Sequence, residues 1–266
     1  MSPITAGCAQ FQPQFGDTEA NINRMCNIIE KAYLDLIVFP ELATSGYEIL
    51  DRNEIAQLAL NPRSSSYIKI LQQASQRTDT YIIFGFPEEN GESFFNSALL
   101  IEPGGNLRVY RKIHLFDREK KLFNPGDKPP FVVETPIGRI GMMICFDWIF
   151  PETVRSLALQ GAQIIAHPSN LVLQYCQRAM FARSVENGVF TMTCNRIGSE
   201  SRTGRTLTFT GASQILSPRG ETLAQAGIDD EELIIAEIDP SRADDKMITP
   251  NNHLLKDRRG EMYGGR

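Results

Sequence analysis

Three side chains of this chain follow apolar runs, and each is of a type that can do chemistry. A carboxylate, Glu41, follows Leu36-Ile37-Val38-Phe39-Pro40. An ammonium, Lys112, closes Leu107-Arg108-Val109-Tyr110-Arg111, and a thiol, Cys145, closes Gly141-Met142-Met143-Ile144. A thiol held at a strand tip just before a helix can be rigid and still meet a substrate. The carboxylate can take its proton, and the ammonium can meet charge that develops on a substrate oxygen or nitrogen. Taken singly, each has a plainer reading. Free Cys is among the most buried residue types, and a lone charge after a strand is a solvated end. A base, a cation and a thiol at three separate strand ends form a more specific pattern, because a sheet fixes side chains that are distant in sequence. A carboxylate near pKa ~4.3 is a weak base towards a thiol near ~8.5, so burial must raise the first or Lys112 must lower the second.

The elements that carry these residues alternate between helix and strand. Residues 5–11 read as a strand, and residues 18–31 as an amphipathic helix capped by Asp17 or Thr18, with Ile22, Met25, Cys26, Ile29 and Ala32 at helical spacing. Residues 34–39 form the strand that delivers Glu41. Ser64-Ser65-Ser66 starts a second helix, with Ile68, Ile70, Leu71 and Ala74 facing inward. Residues 81–86 read as a buried strand ending at Pro87. Residues 93–101 and 107–112 read as a hairpin joined at Pro103-Gly104-Gly105-Asn106. Further strands are expected at 131–134, 139–144, 163–166 and 189–195, and helices from Pro151 and over 177–186. Four β segments follow, at 206–209, 213–216, 222–226 and 233–238. No linker, repeat or low-complexity tract divides the chain. This α/β alternation fits one large covered sheet or two sheets, and the pattern alone does not separate them.

Phe39-Pro40-Glu41-Leu42, Tyr110-Arg111-Lys112-Ile113-His114-Leu115 and Ile144-Cys145-Phe146-Asp147 resemble the three signature segments of the nitrilase superfamily of carbon–nitrogen hydrolases. Phe123-Asn124-Pro125-Gly126-Asp127, Arg183-Ser184-Val185-Glu186-Asn187 and Ser217-Pro218-Arg219-Gly220-Glu221 add to the likeness, which extends to Glu237-Ile238-Asp239. It implies a four-layer α-β-β-α sandwich in one domain, residues 1–250, with a tail at 251–266 that packs on a partner subunit. It implies Glu41 as general base, Lys112 as oxyanion-stabilising cation, Cys145 as nucleophile and Glu119 as an assisting glutamate. The backbone N–H of Phe146 is the second oxyanion donor in this reading, and Tyr47, Trp148, Asn170 and Phe209 are candidate pocket residues. The implied reaction is hydrolysis of a small amide through a thioester on Cys145. Cys145-Phe146-Asp147-Trp148 departs from the Cys-Trp-Glu of ordinary nitrilases and is closer to the amidase-like branches. Small nitriles or dinitriles and N-carbamoyl amines are the alternative substrates.

Size and composition fit such an enzyme. The chain has 266 residues, 42% hydrophobic and 22% charged, with a net charge of −5. An acidic balance argues against nucleic-acid binding. Arg118 to Lys121 and Lys256 to Arg259 interleave acids with bases and read as mixed surface charge. No apolar run reaches membrane-span length, and the N-terminus lacks the features of a signal peptide. Five cysteines at irregular spacing suggest neither a disulfide framework nor a zinc site. Cys8, Cys26 and Cys194 read as core, and the reducing cytoplasm is the expected location. No metal or cofactor is expected. The expected partners are a small amide or nitrile and water, with no nucleic acid or membrane, in a homodimer or higher homo-oligomer. Two rivals remain: a Cys–His hydrolase using His114, which a continuous strand would place on the same side as Lys112, and a non-catalytic binding protein on the same fold. For His114 and His167 the favoured reading is a hydrogen-bonded structural residue.

Overall fold

The computed structural model describes residues 2–263. In chain order it begins with β1 (Ile4–Gln10), α1 (Thr18–Ala32), β2 (Leu36–Val38), α2 (Arg52–Leu58), α3 (Ser66–Thr78) and β3 (Tyr81–Asn90). The hairpin β4 (Ser93–Ile101) and β5 (Leu107–Arg111) precedes a short α4 (Glu119–Leu122), β6 (Val132–Thr135) and β7 (Gly138–Met142). Next come α5 (Pro151–Leu159), β8 (Ile164–Pro168), α6 (Cys176–Asn187), β9 (Phe190–Cys194), β10 (Ser199–Glu200) and β11 (Leu207–Thr208). The chain closes with β12 (Gln214–Leu216), β13 (Thr222–Gln225), β14 (Glu232–Ile238), β15 (Met247–Thr249) and β16 (Asn252–His253).

Twelve of these strands form two six-stranded sheets, ordered β14-β1-β2-β3-β4-β5 and β13-β12-β9-β8-β7-β6. The strands β1, β2 and β3 are parallel, as are β7, β8 and β9. Parallel neighbours need crossovers, and helices fill them. Alternation along each strand divides the core. Leu36, Val38, Ile83, Ala98 and Leu100 face the second sheet, where Ile140, Met142, Ile164, Ala166 and Met192 meet them. Ile37, Ile82, Phe84 and Leu99 face the other way, onto Ile22, Met25 and Ile29 of α1 and Ile68, Leu71 and Ala74 of α3. Val154 and Leu157 of α5 and Met180 of α6 cover the far side of the second sheet. Strands buried on both faces read as continuous apolar runs, and the architecture is the four-layer α-β-β-α sandwich.

Several boundaries differ from the sequence expectation. The third strand runs through Pro87 to Asn90. Its partner β2 pairs only as far as Ile83, so the missing N–H of Pro87 leaves no ladder bond unmade. Asp17, rather than Thr18, caps α1 by accepting from the Ala20 N–H at 2.9 Å. Ile70 is exposed and Cys26 is half-buried, so neither belongs to the core. The segment expected at 206–209 is the two-residue β11, which pairs with β10 outside both sheets. The helix α2 has no counterpart in the sequence reading. The start of the tail is tied to the domain: β16 pairs with β15, and the Leu254 N–H donates to the Lys246 carbonyl at 2.8 Å. Residues 264–266 of the expected tail lie outside the described residues. Among the described residues, no helix is long and apolar enough to cross a membrane.

Candidate active site

Glu41 follows β2 but stays tied to the sheet. Phe39 N–H donates to the Ile83 carbonyl at 2.8 Å, Gly85 N–H to the Pro40 carbonyl at 3.0 Å, and Ala43 N–H to the Gly85 carbonyl at 2.8 Å. A Cβ on residue 85 would sit 2.4 Å from the Glu41 Cα, so only glycine permits this approach. Lys112 is clamped just beyond β5, where its N–H donates to the Asn96 carbonyl and its carbonyl accepts from Gly126 N–H, both at 2.8 Å. A Cβ on residue 126 would lie 2.3 Å from the Arg111 carbonyl oxygen, which gives the glycine of the Pro-Gly-Asp turn a physical reason. Cys145 stands past the end of β7 at φ +40°, the left-handed region, where a non-glycine residue is strained by roughly 1–2 kcal/mol.

The Glu41 and Lys112 side chains converge, with Glu119 beside them. The Lys112 Nζ donates to Glu41 Oε1 at 2.6 Å and lies 2.8 Å from Glu119 Oε2 and 2.9 Å from Glu119 Oε1. Asn96 Nδ2 donates to the same Glu41 Oε1 at 2.7 Å, and Tyr47 OH to Glu119 Oε1 at 2.9 Å. Glu41 Oε2 has no hydrogen-bond partner among the described residues. Glu41 and Lys112 are fully buried, and Glu119 is buried too, although its neighbours in the chain are surface charges. The grouping of Glu119 with mixed surface charge is therefore corrected at that one residue.

Burial sets the electrostatics. It pulls the Lys112 ammonium down, but the Glu119 and Glu41 carboxylates together outweigh it and hold the group above the ordinary lysine range. Burial, reinforced by the Glu41 carboxylate, pushes the Cys145 thiol well above its usual value, and Lys112 only partly offsets this. Lys112 does act to lower the thiol, as one of the two expected routes requires, but desolvation outweighs it. Burial also raises Glu119, against the pull of Lys112. The arrangement can hold a neutral thiol at rest beside a permanently charged donor and a carboxylate oxygen free to take a proton.

Two residues absent from the sequence reading of the site support it. Asn96 holds Glu41 with its side chain and Lys112 with its backbone. Asp147 ties the Cys145 turn to the Lys112 segment: Oδ2 accepts from Tyr110 OH at 2.7 Å and Ile144 N–H at 2.9 Å. Its Oδ1 accepts from His114 N–H at 3.1 Å and faces His114 Nδ1 at 2.7 Å. The strand β5 ends at Arg111, so His114 does not share a face with Lys112; its ring stacks on Phe150 with centroids 3.8 Å apart. The asparagine in the hairpin and the acid two residues past the thiol were visible signals, but nothing in the sequence says which residues they reach.

His167 is buried beneath the thiol turn. Its Nε2 lies 3.0 Å from the Cys145 carbonyl oxygen and its Nδ1 3.1 Å from Thr193 Oγ1. A carbonyl can only accept, so Nε2 carries the proton and Nδ1 accepts from the threonine hydroxyl. Burial lowers the His167 pKa to about 4.

Phe146, Trp148 and Asn170 line one small cavity with Cys145. Tyr47 lines a neighbouring cavity with Glu119, and Phe116 borders both. Phe209 is buried, packs edge-on against Tyr47, carries the Arg196 guanidinium 4.1 Å above its ring, and borders neither of these two cavities. A roomier cleft at Arg63, Glu88, Arg111 and Lys128 holds none of the converging side chains. There Arg111 is paired with the buried Glu88 and the exposed Asp127, so its charge is already matched. Among the described residues, no group of His, Cys, Asp and Glu is arranged to hold a metal ion.

Comparison with known proteins places the chain in a family. Residues 5–246 match the family model described as carbon-nitrogen hydrolase. A nitrilase of Pyrococcus abyssi is 41% identical over 263 residues, covering 98% of this chain and 99% of the relative. An (R)-stereoselective amidase of a Pseudomonas species is 34% identical over 260 residues, covering 96% and 91%. The crystal structure of a carbon–nitrogen hydrolase from Helicobacter pylori superposes with a TM-score of 0.87 at 28% identity, covering 98% and 97%.

Proposed function

This chain belongs to the carbon–nitrogen hydrolase family, a hydrolase of non-peptide carbon–nitrogen bonds, and from that membership we propose that it cleaves small amides through a thioester on Cys145. The observation that carries the proposal is a buried ammonium bonded to two buried carboxylates, all three of whose charges act on a thiol held on a strained turn. Because the thiol is neutral at rest, attack requires a base. Glu41 fills that role, since Oε1 is occupied by Lys112 and Asn96 while Oε2 has no partner among the described residues.

Cys145 Sγ attacks the amide carbon as its proton passes to Glu41. The tetrahedral oxyanion meets Lys112 Nζ and the Phe146 N–H; one such donor is worth about 3 kcal/mol of barrier lowering. Collapse breaks the C–N bond, Glu41 returns the proton to nitrogen, and ammonia or an amine leaves. Water then attacks the thioester with Glu41 accepting its proton. The second collapse yields the carboxylic acid and regenerates the thiol. Lys112, held in its charged form, acts as an electrostatic donor and not as a base. Glu119 fixes Lys112, and Tyr47 fixes Glu119.

Nitrile hydrolysis is the second reading, favoured by the 41% identity to the Pyrococcus abyssi nitrilase. The same thiol would form a thioimidate first. Ammonia release and acid formation from matched small amides and nitriles decide between them. Cys145→Ala must abolish release of ammonia from either while retaining the native circular dichroism; an active Cys145→Ala variant overturns the assignment. We propose a cytoplasmic location and an assembly of two or more copies with residues 251–263 against a neighbouring subunit. The exposed apolar residues Leu159, Phe181, Met247 and Ile248 support the assembly, and light scattering of intact and truncated chains tests it.

A further inference from the structure

The cavity beside Cys145 holds one polar side chain that the chemistry above does not use. Asn170 is 2% exposed, yet neither its Oδ1 nor its Nδ2 has a hydrogen-bond partner among the described residues. Its position is built, not loose. Ser169 N–H donates to the Cys194 carbonyl at 2.9 Å, and Leu171 N–H to Asn195 Oδ1 at 2.8 Å, pinning the backbone on both sides. The rest of the wall near it is apolar: Phe116, Trp148, Leu171, Val172 and Leu173. A buried carboxamide with both atoms unmatched is costly, and an apolar residue of similar shape would pack there without that cost.

The chemistry of the carboxamide defines what would match it. It is neutral, and it both donates and accepts. A hydroxyl or a second carboxamide complements it. A carboxylate matches only the Nδ2 donor: among the described residues no cation lines this cavity, and Lys112 is already bonded to two carboxylates whose charge a third would face. We propose that Asn170 is a specificity-determining residue, and that the site prefers small amides whose acyl part carries a neutral hydrogen-bonding group a few atoms from the scissile carbonyl over those carrying a carboxylate there. The inference rests on the amidase reading above.

Three amides of nearly one shape test it. Malonamide carries a second carboxamide, isovaleramide an isopropyl group in its place, and malonamate a carboxylate. Wild-type kcat/KM for malonamide is expected to exceed that for isovaleramide by about tenfold or more, with malonamate the poorest. Asn170→Leu, nearly isosteric, is expected to bring the malonamide-to-isovaleramide ratio down to about one. Cys145 alkylation by iodoacetamide and circular dichroism show whether that variant is folded, and the wild-type ratio stands as a test without any variant. Wild-type enzyme that cleaves all three equally well overturns the inference and leaves the amidase reading intact. A ratio unchanged in folded Asn170→Leu does the same. Wild-type enzyme that releases ammonia from none of the three overturns the amidase reading, and the inference falls with it.

Discussion

The two sheets furnish opposite kinds of groups to the candidate site. The first, through the ends of β2 and β5, supplies charge that is already partnered: Lys112 with Glu41 and Glu119, Glu41 with Asn96, and Glu119 with Tyr47. The second, through the ends of β7 and β8, supplies neutral groups left unmatched: a thiol on a positive-φ turn and a carboxamide with both atoms free among the described residues. An unpaired buried ion costs several kcal/mol, whereas an unmatched neutral polar atom costs about 1–3 kcal/mol. A fold can therefore keep open hydrogen-bonding capacity in neutral groups far more cheaply than in charges. In this molecule the charges are preorganised and the neutral groups are receptive.

The contrast breaks most severely at Lys112. Lys112→Met leaves two carboxylates facing each other in a dry site, and ammonia release is expected to fall by about a thousandfold or more. Loss of one partner from a buried pair is also expected to destabilise the fold by about 3–5 kcal/mol. The pH sign follows from Glu119, whose pKa is already raised by burial against the pull of Lys112. Without that pull it rises further. A carboxyl with a folded pKa above its unfolded one stabilises at low pH, and that stability is lost as pH rises through the folded value. Urea unfolding of the variant is expected to show greater stability at pH 5.5 than at pH 8; the reverse order would place the charge elsewhere.

On the second sheet the corresponding support is neutral. His167 titrates at about 4 when folded, against about 6.5 in the unfolded chain. Its folded pKa is depressed, so its contribution to stability is complete above about pH 6.5 and is lost as pH falls towards about 4, on the order of 3 kcal/mol in all. His167→Gln keeps a donor for the Cys145 carbonyl but removes the titration. The difference in unfolding free energy between pH 7 and pH 4.5 is expected to shrink by most of that amount; an unchanged difference would show that His167 is not held neutral.

The smallest effect probes the link between base and cation. Asn96→Leu removes one of two donors to Glu41 Oε1 while keeping the backbone bond to Lys112. We expect kcat/KM to fall about tenfold with KM little changed, because the carboxylate has lost a donor that fixes its orientation. A rise in KM with kcat unchanged would make Asn96 a packing residue.

Much of this organisation was legible along the chain. Apolar runs at periods of 2 and 3.6, the Asp17 and Pro151 helix starts and the Pro103–Asn106 turn are local signals, and each gives its element directly. The three strand-end motifs placed Glu41, Lys112 and Cys145 in the first reading of the sequence. Other features needed partners that the chain alone does not reveal. Pro87 reads as a strand end until β2 is seen to stop four residues earlier in the ladder, at Ile83. Glu119 sits among surface charges until it is found folded in against Lys112. Asn96 and Asp147 carry no local mark of their roles, because what matters is which atoms they reach 55 and 33 residues away.

What the sequence determined by itself was the set of elements and the chemical types at their ends, since these follow from side-chain periodicity, capping and the residues that stop a strand. The tertiary structure alone decided the protonation and pairing of those groups. It set the thiol neutral, Lys112 charged, His167 neutral with its proton on Nε2, and Asn170 unmatched. The reason is that desolvation and hydrogen bonding depend on neighbours brought together from distant segments, and they outweigh the intrinsic preferences that a residue type carries in the chain.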